Sequence, residues 1–215
     1  MSKNSNSCNQ PENISFLDVV SVYEGIDKSA HYEKEIKEIK DTSLNFGDEK
    51  VQKNWLTNSI DSPFDEQMAN VFDVAAYILK TTGSITTMKL QKLVYYCQAW
   101  SLVFNEEPLF EEPIKAWVSG PVVEELYELH QGQFKVEAAN FSGNSNVLNE
   151  GQNKVISLVL KDYGSKPSKW LSDLTHLETP WREARKGLSD AERGDREITW
   201  AAMAEYYESL LSEEA

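Results

Sequence analysis

The chain has 215 residues, enough to bury a core of ordinary size, and a formal net charge of −14. So large an excess of acid excludes unaided binding to nucleic acid through phosphate neutralisation and favours a basic protein as partner. Two cysteines, Cys8 and Cys97, imply no disulfide framework; no apolar run reaches about 18 residues, and the opening MSKNSNSCNQPEN lacks the apolar centre of a signal peptide, so we expect a cytoplasmic protein with no membrane partner.

Residues 1–13, rich in Asn, Ser and Gln, hold too little apolar surface to order themselves. Residues 14–61 read as an N-terminal extension, partly helical. HYEKEIKEIK sets Tyr32, Ile36 and Ile39 at helical spacing with Glu33 and Lys37 four apart, whereas ISFLDVVSVYEG reads as strand or short helix. The main domain is expected over 62–215. Ser62 as cap and Pro63 at the first helical position open a helix that runs through MANVFDVAAYILKTT to Gly83. A second helix begins after Thr86 or Thr87 and ends near NEEPLF. Ile114 to Val118 lies between prolines and reads as a short strand, after which Pro121 starts a third helix, PVVEELYELHQ, stopped by Gly132.

QFKVEA is a second strand, NFSGNSN a polar loop, and Glu150 to Tyr163 a helix closed by Gly164. Ser168, Thr179 and Thr199 then stand where three successive helices need caps. No repeat of fixed period occurs. The expected fold is mainly α: a compact helical domain with a small antiparallel β-sheet, preceded by the extension.

The residues offer little catalytic chemistry. Of three histidines, His31 lies in the extension and His130 at a helix end, where a protonated imidazole complements the dipole. HExxH, paired CxxC, GxGxxG and GxxxxGK[ST] are all missing, so neither metal nor cofactor is expected. The densest polar cluster, LSDLTHLETPWREAR, gathers Asp173, His176, Glu178, Arg182 and Arg185 around Trp181. An enzyme would use His176, Glu178 and Arg185 as acid, base and anion-binding group. The stronger reading is structural: Thr175 and Thr179 cap, Trp181 anchors, and Arg182 and Arg185 pair with carboxylates along one face. In AWVSGPVVEELY, Trp117 reads likewise as a core anchor, with Glu124 and Glu125 answering the helix dipole.

TTMKLQKLVYYCQAW, residues 86–100, is apolar nearly all round and belongs at the centre of a domain. Lys89, Lys92, Tyr96 and Trp100 share one narrow stripe, with Gln91 and Gln98 across from it. Either the lysines snorkel past the aromatics to solvent, or the stripe seats a partner's acidic group by charge and cation–π contact.

At MKLQKLVYYCQAWSLVFNEEPLFEEPIKAWVSGPVVEELYELH the chain resembles the Panacea domain of bacterial and phage antitoxins, and LSDLTHLETPWREAR is similar to a later segment of the same family. The resemblance covers about residues 68 to 210. It implies a non-enzymatic, mainly helical antitoxin that neutralises a neighbouring gene's toxin by direct contact, or an adaptor that delivers the toxin to an ATP-dependent protease; self-association is compatible with both. The residues it marks are Lys89, Leu90, Gln91, Lys92, Tyr95, Tyr96, Trp117, Gly120, Pro121, Tyr127, His176, Pro180, Trp181 and Arg185. Ser119 departs from the aromatic common before the Gly-Pro pair. Lys89, Lys92, Tyr96 and Trp100 are the candidate toxin contacts.

Overall fold

The computed structural model describes residues 69–212; the tail, the extension and the Ser62 cap lie outside them. Helix α1 spans Val71–Thr82, and Asn70 caps it. The Asn70 side chain accepts the Phe72 and Asp73 N–H groups at 2.9 and 3.1 Å, and Asp73 returns a bond to the Asn70 N–H. This reciprocal box fixes the start at Val71, so the residues before it, expected to be helical, stand outside the helix where they are described. Gly83, at φ 72°, ends it as expected.

Strand β1 (Ile85–Thr86) precedes α2 (Thr87–Phe104), whose cap is Thr86. Every residue from Leu90 to Phe104 is buried, and α1, the helices α4, α5 and α7 described below, and β3 pack around them. The amphipathic period vanishes here because the helix has no solvent face over that length.

Two antiparallel ribbons flank this axis. β2 (Ile114–Trp117) pairs with β3 (Gly120–Val123) in the register Ile114 to Val123 and Trp117 to Gly120. Pro121 therefore sits in a strand, and the third helix, α3, begins only at Glu124 and runs to His130. The expectation that Pro121 opens the helix fails because a tight reversal at Val118 and Ser119 folds the β-branched Val122 and Val123 back onto β2. β1 pairs with β4 (Lys135–Val136), Ile85 opposite Val136; β4 was anticipated in QFKVEA, β1 was not. The other edge of β2 is covered by 196–198, where the Ile198 N–H donates to the Ile114 carbonyl at 2.8 Å.

Two 3-10 turns, Ala138–Asn140 and Ser145–Val147, lie in the loop before α4 (Glu150–Tyr163), then follow α5 (Ser168–Leu177), α6 (Thr179–Ala184) and α7 (Trp200–Ser212). Thr199 caps α7, accepting the Ala202 N–H at 3.2 Å. Ser168 and Thr179 do not cap. Each is the first helical residue, after Pro167 and Glu178, and Ser168 Oγ instead bonds Thr86 Oγ1 at 2.5 Å. Among the described residues, no helix is long and apolar enough to cross a membrane.

Candidate functional site

The polar residues of α2 point inward and bind backbone that α2 itself does not supply. Lys92 is 1% exposed, and its Nζ donates to the Pro121 carbonyl at 2.9 Å. Burial lowers its ammonium to about 7. Gly120 makes room for it: at φ +100° the residue occupies backbone that favours glycine, and a Cβ there would lie 2.6 Å from Lys92 Cε and 2.7 Å from Thr175 Oγ1. Lys89, half-buried, donates to the Gly164 carbonyl at the end of α4 at 2.6 Å. Two lysines near the unfavourable end of a helix thus serve carbonyls of β3 and of the chain leaving α4, which outweighs their own helix dipole.

The glutamines work the same way. Gln91 brackets Val123, accepting its N–H at 2.9 Å and donating to its carbonyl at 3.2 Å, and its Nε2 lies 3.0 Å from His130 Nε2. His130 is buried and desolvation holds it below the ordinary histidine range, so the protonated, dipole-complementing role expected for it is not the one it has. Gln98 accepts the Leu109 and Phe110 N–H groups and donates to the Phe110 carbonyl, pinning the loop after α2.

At the α5–α6 junction, Glu178 is 4% exposed and holds three phenols. Tyr95 and Tyr207 donate to Oε2 at 3.1 and 3.0 Å, and Tyr96 to Oε1 at 3.0 Å. Burial pushes the carboxyl up to about 7 against the pull of the phenol bonds. Burial and then the Glu178 charge raise all three phenols well above their ordinary value, which keeps them protonated donors. Tyr96 also stacks on Tyr163 at 4.3 Å, and Trp100 stacks on Phe104 and meets Tyr207 edge-on. Of the stripe Lys89, Lys92, Tyr96 and Trp100, only Lys89 keeps part of its surface; the other three neither snorkel nor face outward.

A third group ties α6 to the β2–β3 turn. Arg185 is buried and gives Nη1 to the Ala116 carbonyl at 2.8 Å and Nη2 to those of Ser189 and Glu192 at 3.0 and 2.7 Å. It meets carbonyls, not the carboxylates expected, because the chain after α6 curls around the guanidinium. Trp181 donates Nε1 to the Trp117 carbonyl at 3.0 Å and is stacked by His176 at 4.2 Å. Burial first, then the Lys92 charge, lowers His176. Trp117 is no core anchor: half-buried, it lies between Tyr127 and the Arg193 guanidinium. Glu124 pairs with that same Arg193 at 2.8 Å. Thr175 does not cap but donates to the Ser172 carbonyl. Leu90 and Pro180 are buried packing residues.

Glu178, His176 and Arg185, the candidate catalytic trio, therefore address three different sets of partners. Glu178 takes phenols, Arg185 takes carbonyls, and His176 lies against Trp181; none of the three bonds another. Among the described residues no group of His, Cys, Asp and Glu is arranged to hold a metal ion.

Separate hydrogen bonds thus link α2 to the Trp117–Pro121 turn, α2 to the α5–α6 junction, and that junction to the turn. Residues 90–182 match the family model described as antitoxin SocA-like, Panacea domain. This segment is similar to Panacea domains. Comparison with curated proteins and with solved structures gave no match. The Panacea match runs from α2 into α6, so α1, Arg185 and all of α7 lie outside it, Tyr207 included. The family carries an antitoxin-like function and, in general, a toxin as partner.

Sequence reasoning placed Glu178 only in the enzymatic trio and passed over Tyr207. The available signal was weak: a carboxylate immediately before Thr179-Pro180, and a Tyr-Tyr pair in the helix after Thr199.

Proposed function

We propose that the chain is an antitoxin that neutralises a protein toxin by direct binding. The observation that carries this reading is the Panacea match over residues 90–182. The geometry supports it: the motif's charged and polar side chains are spent on carbonyls, amide N–H groups and phenols that hold the fold, which leaves recognition to the surface around them. The net charge of −14 favours a basic partner. Lys92, Tyr96 and Trp100 then serve binding by shaping that surface from beneath.

Co-expression with the reading frame encoded beside this one tests the proposal. Rescue of growth from a toxic neighbour, with a complex of the two purified proteins, is expected; no rescue and no complex would overturn it. Inhibition of the purified toxin in the absence of any protease separates direct neutralisation from delivery for degradation, which would vanish in protease-deficient cells.

A further inference from the structure

Three exposed apolar side chains come from segments that the backbone ties together. Phe134 is 78% exposed, Leu129 48% and Met88 40%. The Thr87 N–H donates to the Phe134 carbonyl at 3.2 Å, Thr87 Oγ1 to the Gln133 carbonyl at 3.4 Å, and Gln133 Nε2 to the Leu129 carbonyl at 3.4 Å. Phe134 is not on a free loop tip. Gly132, at φ +80°, turns the chain after α3, and β4 begins at the very next residue, Lys135 opposite Thr86. An aromatic ring held in water by a pinned backbone exposes apolar surface that folding leaves uncovered.

The charges near this surface are mostly acidic. Glu125 and Glu128 share the outer face of α3 with Leu129 at helical spacing, and Glu137 follows β4; all three are exposed, with Lys135 exposed and Lys89 half-buried beside them. Glu125 also contributes, after burial, to holding the neighbouring Glu112 carboxyl above its ordinary range. An apolar centre with a charged rim is the anatomy of a protein interface in which an aromatic residue supplies most of the binding energy.

We propose that Phe134, Leu129 and Met88 are the apolar centre of the surface on which the toxin docks, and that the toxin presents an apolar recess edged by lysine and arginine. This rests on the reading of the chain as a toxin-binding antitoxin. The acidic rim selects the occupant. A second copy would set Glu125 and Glu128 against their own kind, and an anionic lipid surface or a nucleic acid would meet the same repulsion.

The test uses the full chain and the purified product of the adjacent toxic reading frame. Phe134→Ala is expected to weaken the complex about 30-fold, as truncation of a central aromatic does. Leu129→Lys, which sets a cation against the partner's cations, is expected to weaken it further, while Val147→Ala, at another exposed apolar site, leaves affinity unchanged. The double variant Glu125→Gln/Glu128→Gln should slow association and flatten its salt dependence. All four keep the wild-type melting temperature. Affinities for Phe134→Ala and Leu129→Lys within about twofold of wild type, or a homodimer that Phe134→Ala abolishes, overturn this surface and leave the antitoxin reading standing. A wild-type chain that neither binds nor neutralises the toxin overturns both.

Discussion

Lys92 and Glu178 are buried without an ionic partner among the described residues, and their titrations pull stability in opposite directions. Glu178 is raised from 4.5 to about 7, so the folded state holds its proton more tightly than the unfolded chain does. Its contribution is fully present below pH 4.5 and is lost as pH rises through about 7. Lys92 is lowered from 10.5 to about 7, so its contribution is present above pH 10.5 and lost as pH falls through about 7. The Glu178 limb is on the order of 3 kcal/mol and the Lys92 limb on the order of 5 kcal/mol, and together they place a stability minimum near neutrality. Denaturant melts of the full chain from pH 5 to 9.5 check this against two variants. The stability difference between wild type and Glu178→Gln is expected to fall from pH 5 to 7.5 and then level, whereas Lys92→Met removes the rise above pH 7. A difference that stays flat across the range would sink the assignment. Gly120 offers a second test at this scale. Gly120→Ala places a methyl against Lys92 and Thr175 in left-handed backbone, and a loss of about 2–4 kcal/mol in chemical denaturation is expected.

At the scale of elements, α2 does for its neighbours what a sheet does for its strands: it supplies hydrogen bonds to backbone that has no ladder. Gln98 alone satisfies two N–H groups and one carbonyl of the 109–110 loop. Gln98→Ala leaves them buried and unpaired, and we expect a loss of about 3 kcal/mol in urea unfolding, well beyond that of any exposed substitution. Helix α7 is fastened partly through Tyr207, whose phenol bond pulls the Glu178 carboxyl down. Tyr207→Phe should therefore cost about 1 kcal/mol and move the acidic limb of the stability profile to higher pH, a shift that a purely packing role would not produce. These dependencies also explain which elements could be read in advance. Local signals found α2, α4 and the Thr199 cap, because an all-round apolar period or a capping hydroxyl acts within a few residues. β1 and the roles of Gln91 and Gln98 escaped because they depend on partners roughly 10 to 50 positions away in the chain, and no period encodes such a pairing, whereas β3 escaped because Pro121 reads locally as a helix start.

For the whole molecule, the same separation between local and long-range information bears on where the domain begins. The three phenols, both glutamines and both lysines bond groups within residues 89–207, and the capping box of Asn70 and Asp73 sets the start of α1. The motif residues were legible as a set, yet their direction was not: a lysine beside a tyrosine on an apolar helix has the same spacing whether it faces a partner or the Pro121 carbonyl. What decided it is the β2–β3 turn, which brings Gly120 over Lys92 from 28 residues downstream. A fragment beginning at Asp61 therefore contains every bond named above. It is expected to unfold cooperatively, with a stability within about 1 kcal/mol of the full chain and the same minimum near pH 7, by circular dichroism in urea. A fragment that fails to fold would show that residues 1–60 complete the core. If it folds, the toxin assay on it assigns the extension. Full protection confines recognition to the surface of residues 61–215, and lost protection with an intact pH profile places a second contact before residue 61.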